Sequence, residues 1–387
     1  MSRRAFTIAA AVVGYTYVGF PALVLVRARL RPRPHTSAPI TPRVSLIIAA
    51  RNEAASIAAK LENALALDYP HERLEVVIAS DGSEDGTVGI ARAAGGDRVR
   101  VLDLPRVGKA GALNAAVACA TGEILVFSDA NSLYAADAVR RLVAPFADPD
   151  VGGVAGDQRY VAGGAEARRE AAVATGERRY WDLDRAIKRA ESRAGNVISA
   201  TGAIYAIRRE LFRSVPPGVT DDFATSTAVI AQGRRLVFAA DAVAFEPVAR
   251  SGDAEFERKV RVMTRGLNAV IARRELLDPR HHGFYAVQLL SHKVLRRLMA
   301  LPLGVLVLSA VAGARRSALL RAAAAAQGAV YTLGVAGLLL DGRGRRRSRL
   351  VALPAYFCLV NLASLRAVWN VVSRRRIDRW EPERGPT

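Results

Sequence analysis

Cysteine is nearly absent from this 387-residue chain: Cys119 and Cys358 are the only two, one in each of two very different sequence contexts. That excludes a disulfide scaffold and a thiolate zinc site. Histidine is also sparse. Its one adjacent pair, His281-His282, has no neighbouring Cys or carboxylate constellation and reads as a solvated loop feature. No G-x-x-x-x-G-K-[ST] phosphate loop occurs. Acidic residues number 36 against 56 basic ones, for a formal charge of +20. In a soluble protein that excess would point to nucleic acid. Here the arginines crowd the flanks of apolar runs, so no nucleic-acid partner is expected.

Long apolar runs lie at both ends. Ala5 to Val26 carries no charge and is long enough to cross a hydrocarbon core of roughly 30 Å as a helix. It is too long for the h-region of a signal peptide and lacks a clear small-x-small cleavage site, so it reads as an uncleaved anchor. Leu295 to Ala312, Ser317 to Leu340 and Leu350 to Val372 are three further candidate spans, the last with Pro354 and Arg366 inside it. Arg27, Arg29, Arg31 and Arg33 outnumber Arg3 and Arg4 across the first span, which puts the domain that follows in the cytoplasm. The loop Gly342 to Arg349 and the tail Arg374 to Arg376 carry the same cytoplasmic signal. Both fit only if one C-terminal segment is interfacial or re-entrant.

The chain therefore divides into an N-terminal transmembrane anchor (1–28), a Pro/Arg-rich linker (29–42), an α/β domain (43–250), interfacial helices (251–294), C-terminal membrane segments (295–372) and a basic tail (373–387). Within the α/β domain, Val44 to Ala50 reads as a buried strand and Ala54 to Leu67 as a helix with Ile57, Leu61 and Leu65 on one face. The strand Val76 to Ala79 completes a unit of parallel-sheet length. Thr87 to Ala94 (helix), Val99 to Leu102 (strand), Lys109 to Thr121 (helix) and Glu123 to Ser128 (strand) continue the alternation.

Two of these strands end in acidic, turn-forming sequence: Asp81-Gly82-Ser83 and Asp129-Ala130-Asn131. Open α/β sheets bind ligands at this carboxyl edge. The first loop taken alone is equally an Asx-type turn. It also resembles half of an EF-hand, but the bidentate acid required at position twelve is Arg92, and a strand precedes it where that motif has a helix. Two acidic strand ends on one edge converge on a single site, where a phosphate ligand would need a bridging cation. Lys109, at a helix start between them, can meet a diphosphate as a point charge, although a solvated lysine is the commoner outcome for such a residue.

The ordered set VSLIIAARNEAASI, EVVIASDGSEDGT, GKAGALNAA, ILVFSDANS, GNVISATGAIYAIRRELF and VTDDF resembles the family 2 glycosyltransferases, across roughly residues 43 to 270. The flanking membrane segments are similar to the polysaccharide-synthase-like branch. The resemblance implies a GT-A fold: a Rossmann-like, mostly parallel sheet in a cytoplasmic domain, with transmembrane and interfacial helices. It implies an inverting, metal-dependent hexosyltransferase of the cell (inner or plasma) membrane, multi-pass, working in cell-envelope or extracellular polysaccharide synthesis. Such an enzyme would contact membrane lipid and move a sugar from a nucleotide-sugar donor, expected to be a UDP-sugar, to a lipid-linked or glycan acceptor. A polyprenyl-phosphate sugar synthase and a catalytically inactive scaffold homologue are the alternatives.

Carried over residue by residue, Ala50, Glu53 and Asp81 would bind the donor nucleotide, and Lys109 its diphosphate. Asp129, with Asn131 where the family has a second carboxylate, would hold Mg2+ or Mn2+. Thr220-Asp221-Asp222 stands where the family has T-E-D, with Asp222 as general base; an acidic helix N-terminus is the plainer account of Asp221-Asp222. The family's Q-x-x-R-W is reduced here to Arg258 and Arg261, without Gln or Trp. That keeps a diphosphate grip and removes the aromatic platform of long-chain processive synthesis. Tyr180 and Trp181 are an alternative acceptor surface, or an apolar stripe packed on core or membrane.

Overall fold

The computed structural model describes residues 2–161, 174–247, 252–341 and 349–375. They form two compact units, divided within the N-terminal helix at Leu23/Val24 and again near residue 248, with Asp278–Tyr285 belonging to the sheet-bearing unit.

The sheet-bearing unit is built on eight strands: β1 (Val44–Ala50), β2 (Leu74–Asp81), β3 (Val99–Leu104), β4 (Ile124–Asp129), β5 (Leu133–Tyr134), β6 (Val151–Val161), β7 (Tyr205–Arg208) and β8 (Arg235–Pro247). Their order is β3-β2-β1-β4-β7-β6-β8-β5. The first four pair in parallel, while β7 runs antiparallel to both β4 and β6, and β5 antiparallel to β8. The sheet is thus more mixed than expected, with its parallel half where the alternating strand and helix pattern lies. All seven residues of β1 are buried, as a central strand covered on both faces requires. The chain leaves β1 for β2 on one side and returns to β4 on the other, so a crevice opens at the carboxyl ends of β1 and β4.

The helix after β1 is shorter than expected, Ile57–Leu65. Residues 52–56 are drawn into a turn: Asn52 takes a left-handed φ of 51° and its side chain accepts from the Glu84 amide (2.9 Å). The Glu53 amide donates to Thr87 Oγ1 (2.8 Å) and the Ala54 amide to Asp85 Oδ2 (3.0 Å). The acidic loop after β2 therefore latches the chain leaving β1 before a helix can begin.

Among the described residues three helices are long and apolar enough to cross a membrane: Arg3–Leu30, which the division at Leu23/Val24 cuts, Ala318–Leu339 and Val351–Val372. The helix Arg349–Val372 runs unbroken through Pro354. Around the candidate span Leu295–Ala312, Phe284–Leu295 and Ala300–Gly313 form a pair bent by 61°, a broken span or a re-entrant segment. Small residues let two helices approach closely, since a Cβ on Gly334 would stand 2.4 Å from Cys358 Sγ and one on Gly337 2.7 Å from Ala355 Cβ. The helix Gly252–Ala272, expected to be interfacial, packs on Arg349–Val372, with Lys259 over the Tyr356 ring at 5.1 Å. The basic 342–348 loop and the tail from 376 lie outside the described residues.

Candidate active site

Strand register sets the site. Ala49 lies opposite both Ala79 and Asp129, and Ala50 opposite Ser80, so Asp81 and Asp129 emerge at one edge on either side of β1. Ala50, the last residue of β1, is fully buried between them.

Asp81 is itself fully buried. Its Oδ1 accepts from the amides of Val107 (2.6 Å) and Gly108 (2.7 Å), at the N-terminus of the helix Gly108–Cys119, where a negative charge is favoured. Arg51 Nη1 stands 3.8 Å from Oδ2, which is buried without a hydrogen-bond partner. Gly82, at φ 60°, makes the sharp exit from β2, and a Cβ there would meet the Arg106 amide nitrogen at 3.1 Å. Nearby, burial works against the charge of Asp85, but hydrogen bonds from Thr87 and from the Ala54 amide outweigh it and hold the carboxyl below its usual range. Glu53 is shifted the other way: burial, with Asp129 and Asp85 close, raises it, although Ser56 donates to its carboxylate.

Asp129 is partly exposed. Its Oδ1 takes a hydrogen bond from the Lys109 ammonium at 2.7 Å, and the same ammonium lies 3.2 Å from Asp221 Oδ2. Burial alone would lower the Lys109 pKa; the two carboxylates outweigh it and keep the side chain charged. Asp221 and Asp222 form the first turn of the helix Asp221–Ala231, and Asp222 Oδ1 accepts from the Phe223 amide at 2.7 Å. The pair forms a helix N-terminus, and Lys109 ties Asp221 to Asp129. Asn131 is exposed in the turn after β4.

Several participants were not singled out in the sequence. Gly202 passes so close to Asp129 that a Cβ would lie 2.7 Å from Oδ2; the G-A-I-Y run before β7 is its only signal. Lys60 reaches under the Asp129 turn from the helix Ile57–Leu65, donating to Ser128 Oγ at 2.7 Å and to the Ser132 carbonyl. A lysine three residues after Ile57, on the buried face, was the available clue. Glu246, at the end of β8, accepts from Ser132 Oγ and Gln158 Nε2. Burial and the nearness of Asp129 raise its pKa.

Arg258 and Arg261 lie on the helix Gly252–Ala272 of the helical unit, not in the unit that carries the carboxylates. Tyr180 and Trp181 fall on the helix Ala174–Ala194, where side chains before Asp184 lie outside the described residues.

The fold and its carboxylate-bearing edge are those of a GT-A domain. A mannosyltransferase from Pyrobaculum calidifontis, solved in complex with GDP-Man and Mn2+, superposes with a TM-score of 0.72 at 26% identity, over 96% of this chain and all of that one. Residues 45–215 match the family Glycosyl transferase family 2. A beta-monoglucosyldiacylglycerol synthase from Trichormus variabilis is 36% identical over 144 residues, covering 36% of this chain and 31% of that protein. A poly-beta-1,6-N-acetyl-D-glucosamine synthase from Staphylococcus aureus is 27% identical over 55% of this chain and 52% of its own length. The chain thus spans about a third to a half of these two relatives.

The residues present fit a divalent cation carried by a diphosphate. Asp129 and Asn131 offer hard oxygen donors, and among the described residues no group of three or more His, Cys, Asp or Glu could hold a metal alone. The remaining ligands would come from the nucleotide and water.

Proposed function

We propose that this protein is an inverting glycosyltransferase that moves a sugar from a nucleotide-sugar donor, a UDP-sugar in the first instance, to a lipid-linked or glycan acceptor. The observation that carries this reading is the Lys109 ammonium, shared between Asp129 and Asp221 on the sheet edge that also holds Asp81. Three segments distant in sequence thereby supply a nucleotide end, a diphosphate end and an acceptor end. The buried Oδ2 of Asp81, without a hydrogen-bond partner, suits an N–H donor of a nucleobase or a ribose hydroxyl, beside Ala50 and Glu53.

Asp129 and Asn131 would hold Mg2+ or Mn2+, which when bound takes charge from the departing diphosphate. Lys109 turns its ammonium to the same diphosphate, leaving Asp221. Asp222, next along the helix, takes the proton from the attacking hydroxyl as that hydroxyl reaches the anomeric carbon from the face opposite the diphosphate. Tyr180 and Trp181 are assigned to the acceptor.

A lipid acceptor is favoured by the three helices able to cross a membrane and by the diacylglycerol in the name of one relative. The arginine-rich flank after the first of those helices assigns the site to the cytoplasmic face. A polyprenyl phosphate is the acceptor of the second reading. Protein purified in detergent with Mn2+ and a panel of UDP- and GDP-sugars is expected to release nucleoside diphosphate. Release only when polyprenyl phosphate is added would select the second reading, and no turnover with any donor would select a scaffold.

A further inference from the structure

Lys60 is a fully buried lysine to which the reaction above gives no part. It lies on the inward face of the helix Ile57–Leu65 with Ile57, Leu61 and Ala64. Its ammonium donates to Ser128 Oγ at 2.7 Å and to the Ser132 carbonyl, and stands 4.2 Å from the centre of the Tyr134 ring. Among the described residues no carboxylate lies within ion-pair distance of it. One turn further along the same helix, Asn63 clasps the backbone of Tyr134, accepting from its amide at 2.7 Å and donating to its carbonyl at 2.9 Å.

A buried ammonium without a direct counter-ion is costly. Burial pulls the Lys60 pKa down to about 7, against the opposing pull of Asp129 and Glu246. An apolar side chain of similar length would avoid that cost, so this charge is poor material for core packing. Its two strong contacts, however, fall on Ser128 and Ser132, which bracket Asp129, Ala130 and Asn131. Glu246 holds the Ser132 hydroxyl from the other side.

We propose that Lys60 is the positioning residue of the Asp129 turn, fixing Ser128 and Ser132 so that Asp129 and Asn131 present their oxygens to the cation on the donor diphosphate. This rests on the reading that Asp129 holds that cation. Partners that orient metal ligands in this way typically change metal affinity by about 10–100-fold when lost.

The test titrates Mn2+ into purified full-length protein saturated with UDP or GDP, whichever binds more tightly in EDTA, and reads unbound Mn2+ by its electron paramagnetic resonance signal. Lys60→Met is expected to weaken Mn2+ by about tenfold or more, with metal-free nucleotide affinity within about twofold of wild type and an equal or higher thermal midpoint. A lysine serving only the core would lower the midpoint instead and leave Mn2+ affinity unchanged. Ser128→Ala removes one of the two contacts and is expected to weaken Mn2+ by about threefold, so the idea is tested even if Lys60→Met does not fold. Wild-type Mn2+ affinity in either variant overturns the proposal. Asp129→Ala separates the two levels: if it leaves Mn2+ binding intact, the donor-site reading fails and Lys60 loses its role. If it abolishes binding while Lys60→Met does not, only the Lys60 proposal fails.

Discussion

The two acidic strand ends look alike in sequence and behave differently in the fold. Asp81 is sealed in, with one oxygen fixed by two backbone amides at a helix N-terminus. Asp129 stands half open, and its principal partner is the end of a flexible lysine shared with Asp221. Backbone amides do not move away when a ligand arrives, whereas an ammonium on a four-carbon stem exchanges one oxyanion for another at little cost. The Asp81 end is therefore rigid and the Asp129 end exchangeable, as the nucleotide and diphosphate roles proposed for them require.

The comparison breaks most severely at Asp129. Asp129→Ala should lower turnover by about 10³-fold, with metal-free nucleotide binding preserved; initial rates of nucleoside diphosphate release beside calorimetric nucleotide titration check it. At the rigid end, Asp81→Ala should lose nucleotide affinity and also stability. Two part-buried amides at a helix N-terminus lose a charged acceptor, at about 1–3 kcal/mol, so the thermal midpoint should fall. Asp129→Ala should leave that midpoint nearly unchanged, and equal midpoint losses would erase the distinction between the two ends.

Lys109→Met should weaken donor binding by about tenfold and flatten its salt dependence, read from nucleotide affinity at two ionic strengths. Gly202→Ala sets a methyl group against Asp129 Oδ2. It should raise the Mn2+ concentration for half-maximal turnover several-fold, by about 1 kcal/mol of strain, with folding little affected.

The smallest effect is on pH. The folded-state pKa of Lys60 is lowered, to about 7, from 10.5. Below pH 7 the group is protonated in both states and its burial cost is fully felt; between pH 7 and about 10.5 only the unfolded chain keeps the proton, so stability contributed by this site rises with pH. The gain in thermal midpoint from Lys60→Met should therefore be larger at pH 6 than at pH 9.

The strands on the parallel side were legible because buried parallel strands read as unbroken apolar runs. Val44–Ala50 was found to the residue, and Asp81 and Asp129 were found as strand ends. What sequence concealed depends on contacts made at long range. The shortened start of the helix at Ile57 reflects the latch from Ser83, Asp85 and Thr87, more than 30 residues away. Lys60 gains its place only through the Ser128–Ser132 turn that closes on it, and Gly202 matters only through its distance to Asp129. The bend between Leu295 and Ala300 was hidden inside a hydropathy pattern that counts apolar residues and is blind to direction.

The assignment of Asp222 as base, separate from the donor-holding groups, tests the account most directly. Transfer rates and donor affinity should be measured side by side for Asp222→Asn in detergent with Mn2+ and the productive nucleotide sugar. The account predicts transfer reduced by at least about 10²-fold with donor affinity within about twofold of wild type. A parallel loss of donor binding, or transfer at the wild-type rate, would contradict it.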